Sequence, residues 1–282
     1  MYPDEGADVA PAGGGRRGMN FNLEGLIPLI ILVVIGILSL NYFGVVTLPY
    51  LPQNEGHIQV LVIGNPSAGE KVTLDNSGDL LTYVTRDPST FYFGAEEELS
   101  QYDIVILDQS TSPSKSVTTA LGKAVETYVK KGGKLIVVQN SGIYQDVGLM
   151  GLTAVDVVGW KATFGDIIPA DCPLDQDSIP TCSEGKGETV VGRIWRQDID
   201  HPIMMGIPMS PPGDKPPYSL VVYPVQAAEG AKTIAFIKSE MTPKAYPAII
   251  EKKSFPTGKV VYFNYDPGLS PGVFRNTLEY LK

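Results

Sequence analysis

Continuous apolar runs recur through the middle of the chain, each bounded by polar or glycine residues. Three of them are His57–Asn65 (HIQVLVIGN), Tyr102–Leu107 (YDIVIL) and Lys134–Gln139 (KLIVVQ). A strand with one solvated face alternates polar and apolar residues, whereas a run without alternation is typical of a strand that is covered on both sides. The pattern therefore predicts three buried, parallel strands.

A helical pattern lies between the second and third runs. Over residues 112–131, apolar positions recur at the spacing of one helix face, at Val117, Leu121, Ala124, Val125 and Tyr128. Ser112 and Ser114 are both candidate N-caps, and Gly132 supplies a stop. Because a strand–helix–strand order implies right-handed crossovers, we expect a parallel sheet with helices on both faces.

The pattern changes after Gly151. Residues 151–220 are rich in Gly, Pro and Asp and contain only short strand-like pieces such as Thr189–Trp195, so we expect an elaborated insertion there. Four later segments predict antiparallel strands that finish the sheet: Ser219–Val225, Lys232–Lys238, Ala248–Glu251 and Lys259–Asn264. A closing helix is predicted over Gly272–Leu281. Residues 57–282 are thus predicted to form an α/β domain with a flavodoxin-like, open, mainly parallel sheet.

One apolar run near the N-terminus is much longer than the others. Residues 26–46 contain no Asp, Glu, Lys, Arg or His, and about 20 helical residues cross the roughly 30 Å hydrocarbon core of a bilayer. A core helix that is apolar on every side would need other elements around it, yet a Gly-rich tail and a Pro-containing linker flank this run. The sequence therefore predicts a single membrane-spanning helix over residues 24–47.

Basic residues predict the orientation of this helix. Arg16 and Arg17 precede the span, and the next Lys or Arg is Lys71. Since cytoplasmic flanks carry the excess of basic residues, residues 1–23 are predicted to be a disordered cytoplasmic tail. A linker over 48–56 then leads to the large domain, which is expected at the cell membrane on the extracytoplasmic side.

The border of the span permits a second interpretation. Gly18, followed by a short segment with Glu24 and then the apolar run, resembles a type IV pilin-like signal. Such signals are cut after the Gly and carry Glu at the fifth mature position, whereas Glu24 would be the sixth. A permanent anchor is the preferred interpretation, and a processed filament helix is the alternative.

Composition limits the partners and cofactors. The net charge is −9, and no basic stripe is available to bind a phosphate backbone, so we expect no nucleic-acid partner. The glycine-containing loop after the first strand lacks both the G-x-G-x-x-G pattern and the Lys-Ser/Thr pair of phosphate-binding loops. We therefore expect no cofactor, while homo- and hetero-oligomers both stay open.

The two cysteines, Cys172 and Cys182, lie in one loop rich in Asp and Pro. On the oxidising side of a membrane, such a pair favours a disulfide. Zinc is not expected because no CxxC spacing or nearby His occurs. Weak calcium binding by Asp171, Asp175 and Asp177 is left open, although solvated loop carboxylates are the commoner case.

Four stretches occur in an order that a known superfamily shares. They are IQVLVIG (58–64), LSQYDIVILD (99–108), AVETYVKKGGKLIVVQNSG (124–142) and GKVVYFNYDPG (258–268). With DHPIMMGIP (200–208), they resemble the class I glutamine amidotransferase-like superfamily, most closely its ThuA-like and related membrane-associated branches. The resemblance covers most of the large domain.

The resemblance implies a nucleophilic Cys on a sharp turn after a strand, backed by a His and a Glu. Matching the family's final Gly to Gly142 places Asn140 at the nucleophile position. The family's His-Pro-Glu triplet would fall on Asp266-Pro267-Gly268. The catalytic set is thus missing from the matched positions, and no catalytic residue is predicted.

A ligand pocket is still expected, because open α/β sheets bind ligands at the carboxyl ends of their strands. The candidate pocket residues are Asn140, Ser141, Tyr144, His201 and Asp266. His201 is one of only two histidines, and it precedes a Pro in a loop. A hydrogen-bonded loop His is the simpler interpretation of this residue than a catalytic base.

These observations favour a non-catalytic, membrane-anchored binding or scaffolding module of a membrane or cell-surface assembly, with a protein or a glycan as its partner. A ThuA-like enzyme acting on carbohydrate is an alternative, and it requires Asn140, His201 and Asp266 to converge. A pilin-like filament protein processed after Gly18 is the third hypothesis.

Overall fold

The computed structural model describes residues 28, 30–37, 57–146 and 157–282. Residues 57–282 form one compact unit and the residues before them another. Within the predicted span, residues 28 and 30–37 are helical with exposed side chains. The remainder of the span, the tail, the linker, Gly18 and Glu24 lie outside the described residues. No described helix is both long and apolar enough to cross a membrane.

The described strands and helices of residues 57–282 are numbered here in chain order. The strands are β1 (Ile58–Gly64), β2 (Leu81–Arg86), β3 (Ile104–Asp108), β4 (Ser116–Thr118), β5 (Lys134–Val138), β6 (Tyr144–Asp146), β7 (Val157–Val158), β8 (Ala170–Asp171), β9 (Glu188–Arg196), β10 (Met209–Ser210), β11 (Tyr218–Val222), β12 (Gln226–Ala227), β13 (Ala231–Ser239), β14 (Ala245–Ser254) and β15 (Gly258–Phe263). The helices are α1 (Ala68–Asp75), α2 (Ala95–Leu99), α3 (Thr119–Lys130), α4 (Trp160–Phe164) and α5 (Pro271–Leu281).

One half of the main sheet is entirely parallel. Its strand order is β2-β1-β3-β5-β15, and every neighbouring pair runs in the same direction. The three apolar runs of the sequence form β1, β3 and β5, whose central residues are fully buried. The predicted α/β fold with a parallel central sheet is therefore confirmed.

The other half of the sheet is antiparallel. It continues from β15 through β14 and β13 to β9, whose outer edge pairs with β10 and β11. Strands β9 and β10 come from the predicted insertion, so this segment widens the sheet, and β11 is the antiparallel strand predicted over Ser219–Val225. The prediction for Lys259–Asn264 was half wrong, because β15 is antiparallel to β14 but parallel to β5.

Helices cover both faces of the parallel half, as the strand–helix–strand pattern predicted. Helices α1 and α5 pack against one set of alternate strand residues, such as Val62 and Ile106. Helices α2, α3 and α4 pack against the opposite set, such as Leu61 and Val105. We call these the α1/α5 face and the α3 face.

Helix α3 begins later than predicted. Its N-cap is Thr118, whose Oγ1 accepts the N–H of Leu121 at 3.1 Å. Neither Ser112 nor Ser114 caps it, because Lys115 holds the preceding loop in another shape. The buried Lys115 ammonium donates to the carbonyl oxygens of Gln109, Ser110 (3.0 Å) and Ser112 (2.9 Å). The spacing of apolar residues over 112–131 carries no information about these side-chain hydrogen bonds, so the sequence pattern could not predict where the helix begins.

The cysteine prediction is confirmed: Cys172 and Cys182 form a disulfide. In the loop it closes, Asp175 Oδ1 accepts the N–H groups of Asp177 and Ile179, both at 2.9 Å, and its Oδ2 pairs with Lys186 at 2.7 Å. Among the described residues, no group of three or more His, Cys, Asp and Glu side chains is arranged to hold a metal ion.

Candidate functional site

The loops that follow the parallel strands meet at one edge of the sheet. They begin after Gly64, Asp108, Val138 and Phe263, the last residues of β1, β3, β5 and β15. Because the neighbouring parallel strands end at equivalent register positions, these loops are adjacent. This carboxyl edge is where a ligand site is expected in an open α/β sheet.

The turn after β5 is strained at Gln139. This residue has φ of 50°, in the left-handed region that costs a non-glycine residue about 1–3 kcal/mol. Its amide Nε2 donates to the carbonyl oxygen of Val221 at 3.0 Å. The strained position of the turn is thus Gln139, one residue before the Asn140 that sequence matching placed there. Neither amide side chain is a nucleophile.

Ser141 holds two loops together. Its Oγ accepts the N–H of Gln109 at 2.7 Å, and its carbonyl oxygen accepts the indole N–H of Trp160 at 2.9 Å. The N–H of Gly142 donates to Gln109 Oε1 at 2.8 Å. Gly142 is required here, since φ is 68° and a Cβ would lie 2.6 Å from the ring of Phe164. Ser141 therefore braces the ends of β3 and β5 and is fully buried.

Asn140 is almost fully buried, and its side chain is unusual. Both Oδ1 and Nδ2 have no hydrogen-bond partner among the described residues, although only 1% of the residue is exposed. Buried polar groups are nearly always hydrogen-bonded. The described residues with such unpartnered atoms are Glu70, Asp108, Ser110 and Asn140, and all lie at the carboxyl edge or in the helix after β1.

A buried carboxyl pair, which sequence reasoning missed, lies beneath the start of α1. Burial and the neighbouring carboxyl of Asp108 raise the pKa of Glu70 well above its ordinary value. Burial also raises the pKa of Asp108, although the N–H of Ser110, which Asp108 Oδ1 accepts at 2.6 Å, acts in the opposite direction. Two adjacent buried carboxyls cannot both ionise at low cost, so burial favours the protonated form of Glu70.

The sequence did contain a partial signal for Glu70. Ser67-Ala68-Gly69-Glu70 has the spacing of a capping box, and Ser67 Oγ accepts the N–H of Glu70 at 3.1 Å. In that motif the Glu side chain returns to the backbone of the cap residue. Here the carboxyl of Glu70 instead lies beside Asp108, a pairing that only the adjacency of β1 and β3 produces.

Asp266 joins the loop after β15 to α1. Its Oδ1 accepts the hydroxyl of Ser67 and the N–H of Gly268, both at 2.8 Å. The backbones of this loop and of α1 lie very close together, since a Cβ on Gly268 would lie 2.4 Å from the backbone nitrogen of Glu70. The charge of Asp266 also raises the pKa of Glu70. This aspartate is therefore a structural cap next to the carboxyl pair.

His201 lies elsewhere. Its Nε2 is 3.3 Å from Glu251 Oε2, and its ring packs edge-on against Tyr280 at 4.9 Å between centroids. Tyr280 is in the last turn of α5, whereas Asp266 precedes the first turn. At about 1.5 Å rise per residue, the ends of this helix are roughly 14 Å apart. The carboxylate partner of His201 is Glu251.

Tyr144 lies on the opposite side of the sheet from Asp266. It starts β6 and packs against the core of the α3 face, and its hydroxyl accepts the N–H of Glu184 at 2.9 Å. Of the five candidate pocket residues, the structure thus brings together Asn140 and Ser141 in one turn. Asp266 and Tyr144 lie on different faces, and His201 lies at the far end of α5.

No Cys–His or Ser–His pair is present at the carboxyl edge among the described residues. Both cysteines are in the disulfide, and the chain has two histidines. His201 is bonded to Glu251. His57 precedes β1 at the amino edge, about 20 Å from the strand's other end at roughly 3.3 Å per residue. The polar groups in the described part of this edge can therefore bind a ligand through hydrogen bonds.

Comparisons with known proteins identify no family. No family model and no curated protein matches the sequence. Among solved structures, a β-galactosidase from Bacillus circulans sp. alkalophilus is 17% identical with a TM-score of 0.49, covering 78% of this chain and 30% of its own. A proposed component of GMP synthase from Thermoplasma acidophilum is 10% identical with a TM-score of 0.42, covering 80% and 94%.

A carbohydrate deacetylase, Agd3, is 14% identical with a TM-score of 0.40, over 74% of this chain and 29% of its own. The present chain thus spans less than a third of the length of the β-galactosidase and the deacetylase. All three TM-scores are below 0.5, so these similarities indicate neither a family nor an activity.

Proposed function

We propose that residues 57–282 form a non-catalytic binding module that the helix over 24–47 anchors to a membrane, on the extracytoplasmic side. Its role is assembly or scaffolding through a bound partner protein or glycan. The class I glutamine amidotransferase-like resemblance belongs to the same proposal, with the ancestral catalytic groups replaced.

The observation that carries the proposal is the turn after β5. An amidotransferase-like enzyme needs a thiolate at this strained turn together with a nearby base. The strained residue is Gln139, and its side chain is bonded to the Val221 carbonyl. The only hydroxyl in the turn, on Ser141, is buried and accepts a backbone N–H. A base within hydrogen-bond reach is missing from the described residues.

The alternative of a carbohydrate-acting enzyme is less well supported by the geometry. An enzyme of this kind requires a general base, and for His201 to serve as that base it must reach the carboxyl edge. Instead, His201 is bonded to Glu251 and packed on Tyr280, about one helix length from Asp266.

The proposal is tested by measuring turnover with the full chain. We expect no release of ammonia from glutamine and no release of aryl alcohol from a panel of aryl glycosides above the rate of a Ser141→Ala variant. The matched control is Ser100→Ala, an exposed serine at the end of α2. Turnover that Ser141→Ala abolishes and Ser100→Ala leaves intact would show that the module is an enzyme.

A further inference from the structure

A second site lies at the carboxyl edge, away from the turn after β5. A cleft of about 230 Å³ is formed by the loop after β2, the loop after β3 and the end of β6. We call it the serine cleft and define it by Asp87, Ser89, Tyr92, Ser112, Ser114 and Asp146. The first two loops are joined where Thr118 Oγ1 donates to the carbonyl oxygen of Phe91 at 3.4 Å.

An exposed aromatic ring forms one wall of the serine cleft. Phe91 is only 1% exposed and anchors its loop in the core, while the next residue, Tyr92, is 63% exposed and lines the cleft. Of the three consecutive aromatic residues Phe91, Tyr92 and Phe93, Phe91 alone belongs to the core. Phe93 is 96% exposed and does not line the cleft.

The remaining wall is rich in hydroxyl groups. Serine hydroxyls can both donate and accept hydrogen bonds. The described residues that line the cleft include no Lys or Arg. The nearest lysine in sequence, Lys115, is buried and directs its ammonium to three backbone carbonyls of the loop. An anionic ligand such as a phosphate would therefore find no opposite charge on this wall.

Asp87 is held rigidly at the entrance. Its Oδ1 accepts both the N–H and the hydroxyl of Ser89, at 2.8 Å and 2.5 Å. These hydrogen bonds lower the pKa of Asp87, so it is an ionised acceptor. An aromatic face, fixed acceptors and several two-way hydroxyls are the features of a site that binds a small polar ligand with an apolar side.

We propose that the serine cleft binds a neutral glycan, with a sugar ring stacked on Tyr92 and its hydroxyls bonded to the serines and to Asp87. A pyranose has an apolar C–H face and a rim of hydroxyls that donate and accept, and these match the two walls. This inference rests on the proposed function as a binding module and names its ligand class. Because the cleft is small and open, affinity in the millimolar range, about −4 kcal/mol, is expected.

The test uses the full chain purified in a zwitterionic detergent, since a sugar headgroup on the detergent would compete. Saturation-transfer NMR titrations are run with cellotetraose, mannotetraose, xylotetraose and chitotetraose. Tetragalacturonate and spermidine are the anionic and cationic probes. Three variants are compared: Tyr92→Ala, Tyr92→Phe and, as the neighbouring exposed aromatic outside the cleft, Phe93→Ala.

We expect at least one neutral tetrasaccharide to bind, and Tyr92→Ala to weaken that binding about tenfold or more, equivalent to about 1.4 kcal/mol. Tyr92→Phe keeps the ring and should stay within about threefold of wild type, and Phe93→Ala should not change binding. Circular dichroism spectra check that every variant is folded.

Three results would overturn the glycan site. One is no binding of any neutral tetrasaccharide, another is equal loss in Phe93→Ala, and the third is binding of spermidine or tetragalacturonate alone. These outcomes are separate from failure of the proposed function, which is recorded as turnover in the Ser141 experiment. A protein that neither binds a neutral tetrasaccharide nor turns over a substrate would refute the glycan site and remain consistent with a non-catalytic module.

Discussion

At the scale of single residues, the most informative group is the buried carboxyl of Glu70. Its raised pKa means that the folded protein binds a proton which the unfolded chain releases near the ordinary Glu value. The stability it contributes is complete below the unfolded pKa and is lost as pH rises through the folded pKa. Each unit of difference corresponds to about 1.4 kcal/mol.

Glu70→Gln should therefore gain stability relative to wild type as pH rises. The amide stays neutral at every pH, so the cost of ionising a buried group disappears. We expect a melting temperature difference that favours the variant and grows as the pH rises above the ordinary pKa of Glu. Differential scanning calorimetry at several pH values measures it.

Glu251→Gln is the matched control with the opposite sign. Burial acts to raise the pKa of Glu251, but hydrogen bonds from His201 and Tyr280 outweigh it, and the net pKa is lowered. The stability that Glu251 contributes to the folded protein is present above the unfolded pKa and is lost as pH falls through the folded pKa. This variant should be less stable than wild type at neutral pH and approach it in acid. If the stability difference from wild type changed with pH in the same direction for both variants, the raised pKa of Glu70 and the lowered pKa of Glu251 would both be refuted.

At the scale of elements, the loop between β3 and α3 depends on one lysine. The Lys115 ammonium donates hydrogen bonds to the backbone carbonyl oxygens of Gln109, Ser110 and Ser112. In a helix, backbone N–H groups would donate to such carbonyls instead. Part of the serine cleft is built from this loop. The element is thus held in place by a side chain and not by secondary structure.

Lys115→Met should destabilise the protein by about 2–4 kcal/mol, because the charge-assisted hydrogen bonds from the ammonium to three backbone carbonyls are lost. Chemical denaturation measures the change. Hydrogen exchange should accelerate over residues 109–118 in particular. The control is Lys123→Met on α3, where the side chain is exposed and the free energy of unfolding should change by less than about 0.5 kcal/mol. Equal effects of the two substitutions would contradict the role of Lys115.

At the scale of the whole molecule, the N-terminal segment distinguishes a permanent anchor from a processed filament helix. Sequencing the N-terminus of the membrane-extracted protein decides between them. We expect a chain that keeps residues 1–18, because Glu24 is displaced by one position from the pilin-like pattern. A mature chain that starts at Met19 would support the filament hypothesis and remove the cytoplasmic tail from the proposed function.

The sequence alone determined the parallel strands and the disulfide partners of this protein. Val60–Ile63, Ile104–Leu107 and Leu135–Val138 are continuously apolar because each strand is covered on both faces, so a local pattern suffices to predict them. Cys172 and Cys182 are close in the chain, and loop closure over so short a span needs no tertiary information. The absence of Cys and His at the expected turn was likewise visible in the residues themselves.

Only the tertiary structure decided which polar groups meet. Glu70 reaches Asp108 because β1 lies beside β3, and His201 reaches Glu251 because the insertion adds strands beyond β15. Strand order and register are set by the packing of the whole sheet. The spacing of polar residues along the sequence does not indicate which other polar residues they will contact. For the same reason the candidate pocket residues were separated: Asp266 and Tyr144 end on opposite faces, since the side of the sheet on which each loop continues depends on the helix that packs there.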